Sequence, residues 1–257
     1  SGAPIVFTSR SSTAPGAWGG IDISGDATQA RIVHAEFRYG GSRSFYAAGF
    51  PILTSGRIQP EIQNVRFVGN RRDAIGLKSG VYAGNVRLNL VGYPYMITSD
   101  VTINPGVTMT LEPGVVLKFE GNETDLFVNG RLVAQGTTSL PIYFTSAKDD
   151  DRGGDSNSDG RTPPAAGDWG GVVLKRDATL PASSIANTTM MYGGSYAYAY
   201  GQRYPLQVDG RTQPTITGLN ITNNRRNAIA LQTGTYTADL RLNVTGVPYL
   251  IDSDVVV

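Results

Sequence analysis

The chain has 257 residues, a formal net charge of +1 and no cysteine. Hydrophobic residues make up 40% of it, which is too many for a disordered tail and enough for a sizeable core. The net charge is near neutral and the sequence contains no cluster of Lys and Arg, which argues against nucleic-acid binding. No apolar run reaches the length of a membrane span. Without cysteine, disulfides and thiolate metal sites are excluded.

In chain order, the first elements are short β-branched runs, and no window shows a sustained helical period. The clearest runs lie between residues 101 and 134: Val101–Ile103, Val107–Leu111, Val115–Phe119, Leu126–Val128 and Arg131–Ala134. Turn-forming Asn, Pro and Gly separate them. Strands so short, closed by frequent corners, suit either a sandwich or a β-solenoid. The lack of long strict alternation favours the solenoid, so we predict an all-β fold, a right-handed parallel β-helix continuous over residues 1–257.

Two copies of one sequence follow each other along the chain. Residues 70–101 and 224–255 align without a gap, and residues 4–9 match residues 141–146. Copy one therefore spans about 4–101 and copy two about 141–257, joined by a lead-in segment at 102–140 that forms additional coils. Such a long period indicates modules rather than single solenoid repeats. Both ends of the chain interrupt a copy, so we expect a piece of a longer protein.

Copy two carries an acidic insertion, residues 147–167, that copy one lacks. Asp155, Asn157, Asp159 and Gly160 have the spacing at which a calcium loop begins. The closing Glu of an EF-hand is missing, because Ala166 occupies its position. The sequence predicts one Ca²⁺ ion here, with oxygen ligands drawn from Asp149, Asp150, Asp151, Asp155, Asn157, Asp159 and Asp168. The alternative is a solvated acidic loop, since such strings are common in linkers.

The lead-in segment resembles a known family. The stretches Thr102–Phe119 and Leu126–Thr137, followed by residues 141–146 and 168–171, resemble phrases that recur in bacterial secreted and surface right-handed parallel β-helix repeat proteins, the pectate-lyase-like solenoids. The resemblance implies that fold and an extracellular or cell-surface location in a bacterium. It does not imply lyase activity, because a fold alone does not determine a function.

Three other groups of residues have both a functional and a structural interpretation. Tyr196, Tyr198, Tyr200 and Tyr204 could form an exposed row of rings for stacking on sugars, or an ordinary stack of side chains along the solenoid. The recurring Asn70 and Asn224, each followed by two Arg, suit a ladder of amides at a corner, and the alternative is that the Arg side chains act as a substrate clamp or a lyase base. His34 has no partner for nucleophilic catalysis, which favours a structural role.

We therefore expect a non-enzymatic, extracellular β-helix segment of a modular surface protein, acting as a stalk, adhesin or scaffold with a Ca²⁺-ordered loop. The alternative is a polysaccharide-binding or polysaccharide-cleaving β-helix protein. Expected partners are a surface glycan, a host or neighbouring protein, and neighbouring modules of the parent chain. End-to-end self-association is expected as well, whereas nucleic acid and a membrane span are not.

Overall fold

The protein is all-β, as the sequence predicts. A computed structural model describes residues 2–24, 30–42, 48–56, 60–175, 177, 179–197, 201–209, 212–236, 242–252 and 254–256. These residues form strands and turns and no helix. The strands are β1 (Ile5–Phe7), β2 (Ile21–Ile23), β3 (Arg31–Arg38), β4 (Ile52–Thr54), β5 (Glu61–Val68), β6 (Ile75–Leu77), β7 (Gly80–Tyr82), β8 (Val86–Leu88), β9 (Tyr95–Ile97), β10 (Val101–Ile103), β11 (Thr108–Leu111), β12 (Val116–Phe119), β13 (Leu126–Val128), β14 (Arg131–Gln135), β15 (Ile142–Ser146), β16 (Val172–Leu174), β17 (Ser184–Met191), β18 (Tyr196–Ala197), β19 (Gly201–Gln202), β20 (Leu206–Val208), β21 (Thr215–Thr222), β22 (Ile229–Leu231), β23 (Gly234–Thr235), β24 (Tyr249–Ile251) and β25 (Val255–Val256).

Most of these strands pair in parallel. One sheet has three strands, in the order β1-β3-β5, and a second has seven, in the order β24-β22-β20-β16-β13-β10-β7. The largest sheet has eleven, with β2-β4-β6-β9-β12-β15-β17-β14-β11-β8 in order and β21 also on β17. Strands β23 and β25 form a further parallel pair, and among the described strands only β18 and β19 pair antiparallel.

The long strand β17 joins two stacks of short strands into the largest sheet. Its first half pairs with β14 and its second half with β15. Between the halves, Asn187 has a positive φ of 42°, a backbone conformation that breaks the regular ladder. After β10, the chain passes through β11 and β12 and then returns to pair β13 with β10. The next circuit ends with β16 on β13.

The core is built from apolar residues that lie in register on successive strands. Val101, Leu126, Val172, Leu206 and Ile229 pair one after another along the seven-stranded sheet, and each is fully buried. Because a strand points alternate side chains to opposite faces, the neighbouring residues of these strands face outward. Full burial of a Val, Leu or Ile side chain contributes about 1.5–3 kcal/mol, so this column is a major source of stability.

Each copy contains a tryptophan that packs against a glycine backbone. The indole nitrogen of Trp169 donates a hydrogen bond to the carbonyl of Met191 at 2.8 Å, and its ring lies against Gly193. A methyl group at Gly193 would lie 2.8 Å from that ring, so only glycine fits without a shift. Trp18 and Gly40 make the same contact in copy one. The recurring Trp-Gly-Gly and Tyr-Gly-Gly-Ser motifs are therefore two sides of one packing unit.

The recurring asparagines hold neighbouring strands together. Asn70 accepts a hydrogen bond from the backbone N–H of Gly40 at 2.7 Å and donates one to the carbonyl of Phe37 at 2.8 Å. In copy two, Asn224 likewise accepts from Gly193 at 2.7 Å and donates to a β17 carbonyl at 2.9 Å. Both amides are buried, and hydrogen bonds on both sides offset the cost of removing them from water. These contacts give the asparagines a structural role.

Equivalent strands of the two copies lie in different sheets. Strands β2, β4, β6 and β9 belong to the eleven-stranded sheet, whereas their sequence equivalents β16, β20, β22 and β24 belong to the seven-stranded sheet. Strands β1, β3 and β5 form the three-stranded sheet, and their equivalents β15, β17 and β21 belong to the eleven-stranded one. From copy one to copy two, each equivalent strand thus moves on by one sheet.

Candidate functional site

The acidic insertion packs on the outer face of the eleven-stranded sheet at β12 and β15. On β12, Leu117 and Phe119 point into the core, so Lys118 between them points outward. The Lys118 ammonium donates hydrogen bonds to the carbonyl of Gly154 at 2.7 Å and to the hydroxyl of Ser156 at 2.8 Å. These bonds fasten the insertion onto the lead-in segment and leave Lys118 fully buried.

The insertion also contacts copy one. The Ser158 hydroxyl donates a hydrogen bond to the carbonyl of Arg71 at 2.5 Å. Gly153 lies against Pro94, so closely that a methyl group on Gly153 would be 3.0 Å from the proline ring. On the copy-two side, the Arg152 guanidinium lies 4.6 Å from the centre of the Tyr143 ring. One loop therefore touches copy one, the lead-in segment and copy two.

Three carboxylates of the insertion converge. Asp150, Asp155 and Asp159 each have a carboxylate oxygen within 4.8 Å of the other two. Asn157 lies beside them and donates a hydrogen bond to Asp159 at 2.8 Å. This spacing suits oxygen ligands around one cation, and hard cations such as Ca²⁺ take their ligands from carboxylate and amide oxygens.

Two oxygens at this group lack partners. Asp150 Oδ1 and Asn157 Oδ1 are buried atoms with no hydrogen-bond partner in the part of the chain that the structure describes. Burial, and next the charge of Asp155, raises the pKa of the Asp150 carboxyl. A buried oxygen without a donor costs about 1–3 kcal/mol, which a bound cation would offset.

The sequence analysis does not single out Lys118, which the structure buries beneath the acidic insertion. Burial lowers the pKa of its ammonium to about 8, against the charges of Asp149, Asp150 and Asp155, which favour protonation. Its position between two core residues predicts an exposed side chain, but Gly154 and Ser156 of the insertion, 36 and 38 residues further on, cover it. The ammonium supplies one positive charge beneath the acidic group.

The other candidate ligands lie outside the converging group. Asp149 is buried and accepts a hydrogen bond from Thr145 at 2.6 Å. Asp168 forms an ion pair with Lys148, with a nitrogen–oxygen distance of 3.0 Å. Asp151 is exposed and is absent from the three-carboxylate group. The structure thus unites Asp150, Asp155, Asp159 and Asn157 and leaves these three in other surroundings.

A cleft of about 680 Å³ opens beside the insertion. Its walls come from copy one, from the end of β12 and from the two ends and the middle of the insertion. The charged residues in them are Arg71, Arg72, Glu120, Lys148, Asp159 and Asp168. Arg72 forms an ion pair with Glu120 at 2.6 Å, and Lys148 forms one with Asp168 at 3.0 Å. The volume lies within the 300–1,000 Å³ range of small-molecule sites.

The tyrosine row differs from the expected exposed strip. Tyr196 is 58% exposed, and its strand β18 ends at Ala197 and pairs antiparallel with β19, which places Tyr196 opposite Gln202. Tyr204 is only 1% exposed, and its hydroxyl donates a hydrogen bond to Asp252 at 2.7 Å. A buried ring cannot stack on a sugar. Tyr198 and Tyr200 lie outside the described residues.

Comparisons with known proteins give one partial likeness. No family model matches the chain, and no solved structure matches it. Over 72 residues, or 28% of the chain, it is 39% identical to "Protein bark beetle" of Drosophila melanogaster. The matched stretch spans 2% of the length of that protein. Among the described residues, no helix is long and apolar enough to cross a membrane.

Proposed function

We propose that the chain is a right-handed parallel β-helix segment of a secreted or cell-surface protein, and that it serves as a non-enzymatic stalk, adhesin or scaffold. A Ca²⁺ ion bound by the acidic insertion is part of this proposal. The sequence motifs of the lead-in segment resemble those of bacterial secreted β-helix proteins, which supports an extracellular location.

The strand pairing supports the β-helix. The chain visits three short strands, β10, β11 and β12, and then returns to place β13 in parallel on β10. Parallel pairing requires such a crossover, and here short strands and corners take the place of a helix. The column of buried residues along the seven-stranded sheet matches the continuous interior that stacked coils would share.

The converging carboxylates carry the metal proposal. Asp150, Asp155 and Asp159 present oxygens within 4.8 Å of one another, and Asn157 adds a buried amide oxygen without a partner. Ca²⁺ takes six to eight oxygens in flexible geometry, so backbone carbonyls and water would complete its shell, whereas Mg²⁺ demands stricter octahedral geometry. The Lys118 ammonium neutralises only part of the acidic charge, which leaves the group attractive to a divalent cation.

The contacts of the insertion suggest what the ion would do. The loop contacts copy one at Pro94 and Arg71, the lead-in segment at Lys118, and copy two at Tyr143. An ion that fixes the loop would therefore brace the junction between the two copies. We expect Ca²⁺ to stiffen this junction more than it stabilises either copy alone.

Calorimetric titration of chelator-treated protein with Ca²⁺ tests the proposal. The wild type should bind one ion, and the Asp155→Ala, Asp159→Ala double variant should bind none. Asp151→Ala is the matched control, because Asp151 is an acidic residue of the same loop outside the converging group; it should bind as the wild type does. Equal heats from the wild type and the double variant, or no heat from the wild type at millimolar Ca²⁺, would contradict the metal proposal.

A polysaccharide-binding or polysaccharide-cleaving protein is the second candidate, and the cleft favours it. Arg71 lines this cleft and its guanidinium could contact an acidic or hydroxyl-rich ligand. Titration with neutral and acidic oligosaccharides, followed by Arg71→Ala, tests this candidate. Absence of binding by the whole panel would leave the scaffold function alone.

A further inference from the structure

The two ends of the stack have open strand edges. Strands β1 and β2 at one end, and β24 and β25 at the other, each pair with a single strand among the described residues. Ile5 on β1 is 62% exposed, whereas its equivalent Ile142 on β15 is fully buried. Ile251 on β24 is 54% exposed, whereas its equivalent Ile97 on β9 is fully buried. The same side chains are thus core residues in one copy and surface residues in the other.

The lead-in segment covers these strands in one copy, and the equivalent strands in the other copy lack this cover. Strand β12 pairs with β9 on one side and with β15 on the other. Strand β13 pairs in the same way with β10 and with β16. The equivalents of β9 and β10 are β24 and β25, and the equivalents of β15 and β16 are β1 and β2. Both open ends therefore lack the same two strands.

We infer that each open end is an interaction surface for a coil of the lead-in type, with a β12-like strand against β24 or β1 and a β13-like strand against β25 or β2. The register follows from the pairs inside the chain. Leu117 faces Tyr95 and Phe144, so the corresponding leucine of the partner faces Tyr249 at one end and Phe7 at the other. The partner is a parallel strand with leucine and phenylalanine two residues apart, pointing into the core.

This inference rests on the proposed β-helix and not on the metal site. An uncovered edge offers unpaired N–H and C=O groups and exposed apolar side chains, both of which a lead-in coil would satisfy. The inferred partner differs from a second copy bound end to end. If the open ends of two copies met directly, the β12-like and β13-like strands would be missing between them.

Hydrogen exchange on an extended chain tests the inference. A second copy of residues 104–140 is attached after Val257 of the full chain, where the alignment of the two copies places Asn104, and exchange is measured in chelator so that the metal plays no part. The amides of β24 should become as protected as those of β9, since exchange slows when a strand gains a second neighbour. In the control, the attached copy carries Leu117→Asp and Phe119→Asp, and β24 should then exchange as in the unextended chain. Attaching the same segment before Pro4 gives the second arm, with β1 as the reporter.

The outcomes separate this inference from the proposed fold. If β9, β12 and β15 are protected while β24 and β1 stay unprotected in both extended chains, the inference is overturned and the β-helix stands. Protection by the Asp-bearing control equal to that by the wild-type segment would also overturn it. If β9, β12 and β15 themselves exchange freely, the β-helix fails and the inference fails with it.

Discussion

The same isoleucine at equivalent places of the two copies should have very different effects on stability. Ile142 is fully buried in β15, with β12 and β17 on either side, whereas Ile5 on β1 is 62% exposed. Truncation to alanine removes three carbon atoms, a transfer loss of about 2.4 kcal/mol at about 0.8 kcal/mol for each. The cavity adds to this at Ile142, so Ile142→Ala should lower the free energy of unfolding by about 2–5 kcal/mol. Ile5→Ala should change it by less than about 0.5 kcal/mol.

Urea unfolding followed by circular dichroism measures both changes, with the two variants as each other's control. Stacked repeats can unfold in segments, so hydrogen exchange at β12, β15 and β17 should accompany the unfolding curves. Equal losses from the two variants would refute the assignment of β15 to the interior and β1 to an edge. A larger loss from Ile5→Ala would have the same meaning.

Two further predictions concern buried polar groups. Asn224→Ala leaves the Gly193 N–H without its acceptor and should lower the free energy of unfolding by about 1–3 kcal/mol. The exposed Asn243→Ala is the control and should change it by less than about 0.5 kcal/mol. Equal urea midpoints for the two variants would contradict the structural role of the Asn224 amide. Lys118 has a pKa of about 8 in the folded chain and an ordinary value of 10.5, so between these pH values the unfolded chain binds more protons. The free energy of unfolding of the wild type should therefore rise with pH relative to that of Lys118→Met, by at most about 1.4 kcal/mol per pH unit. Both proteins are measured in chelator. If the difference between their free energies of unfolding stays constant between pH 8 and 10.5, the burial of the ammonium is contradicted.

The sequence predicts the strands and the repeat but not what covers each face. Period and composition identify the short strands between residues 101 and 134 correctly, because those signals are local. Lys118 is different. Strand alternation alone makes it a surface residue, and its burial depends on Gly154 and Ser156 of a distant loop. Long-range coverage of this kind leaves no mark on the local pattern.

The burial of Tyr204 could have been predicted by comparing the two copies. Its equivalent in copy one is Phe50, which is also buried and carries no polar group. An apolar residue at the matching place indicates a core position. Both rings lie under an arginine of the recurring pair, Arg72 at 4.9 Å from the centre of Phe50 and Arg226 at 5.8 Å from that of Tyr204. Comparison of the two copies would therefore have predicted burial, whereas spacing within one copy could not.

In the proposed β-helix, the shift of equivalent strands by one sheet turns copy two around the helix axis relative to copy one. The outer side of β9 belongs to the sheet that carries the acidic insertion, and the outer side of its equivalent β24 belongs to the next sheet. A ligand or neighbouring protein that approaches both copies from one direction therefore meets unlike surfaces, even though the sequences match. In the proposed β-helix, a partner that binds equivalent sites on both copies has to follow this turn around the axis, whereas a straight partner reaches the site of one copy at a time.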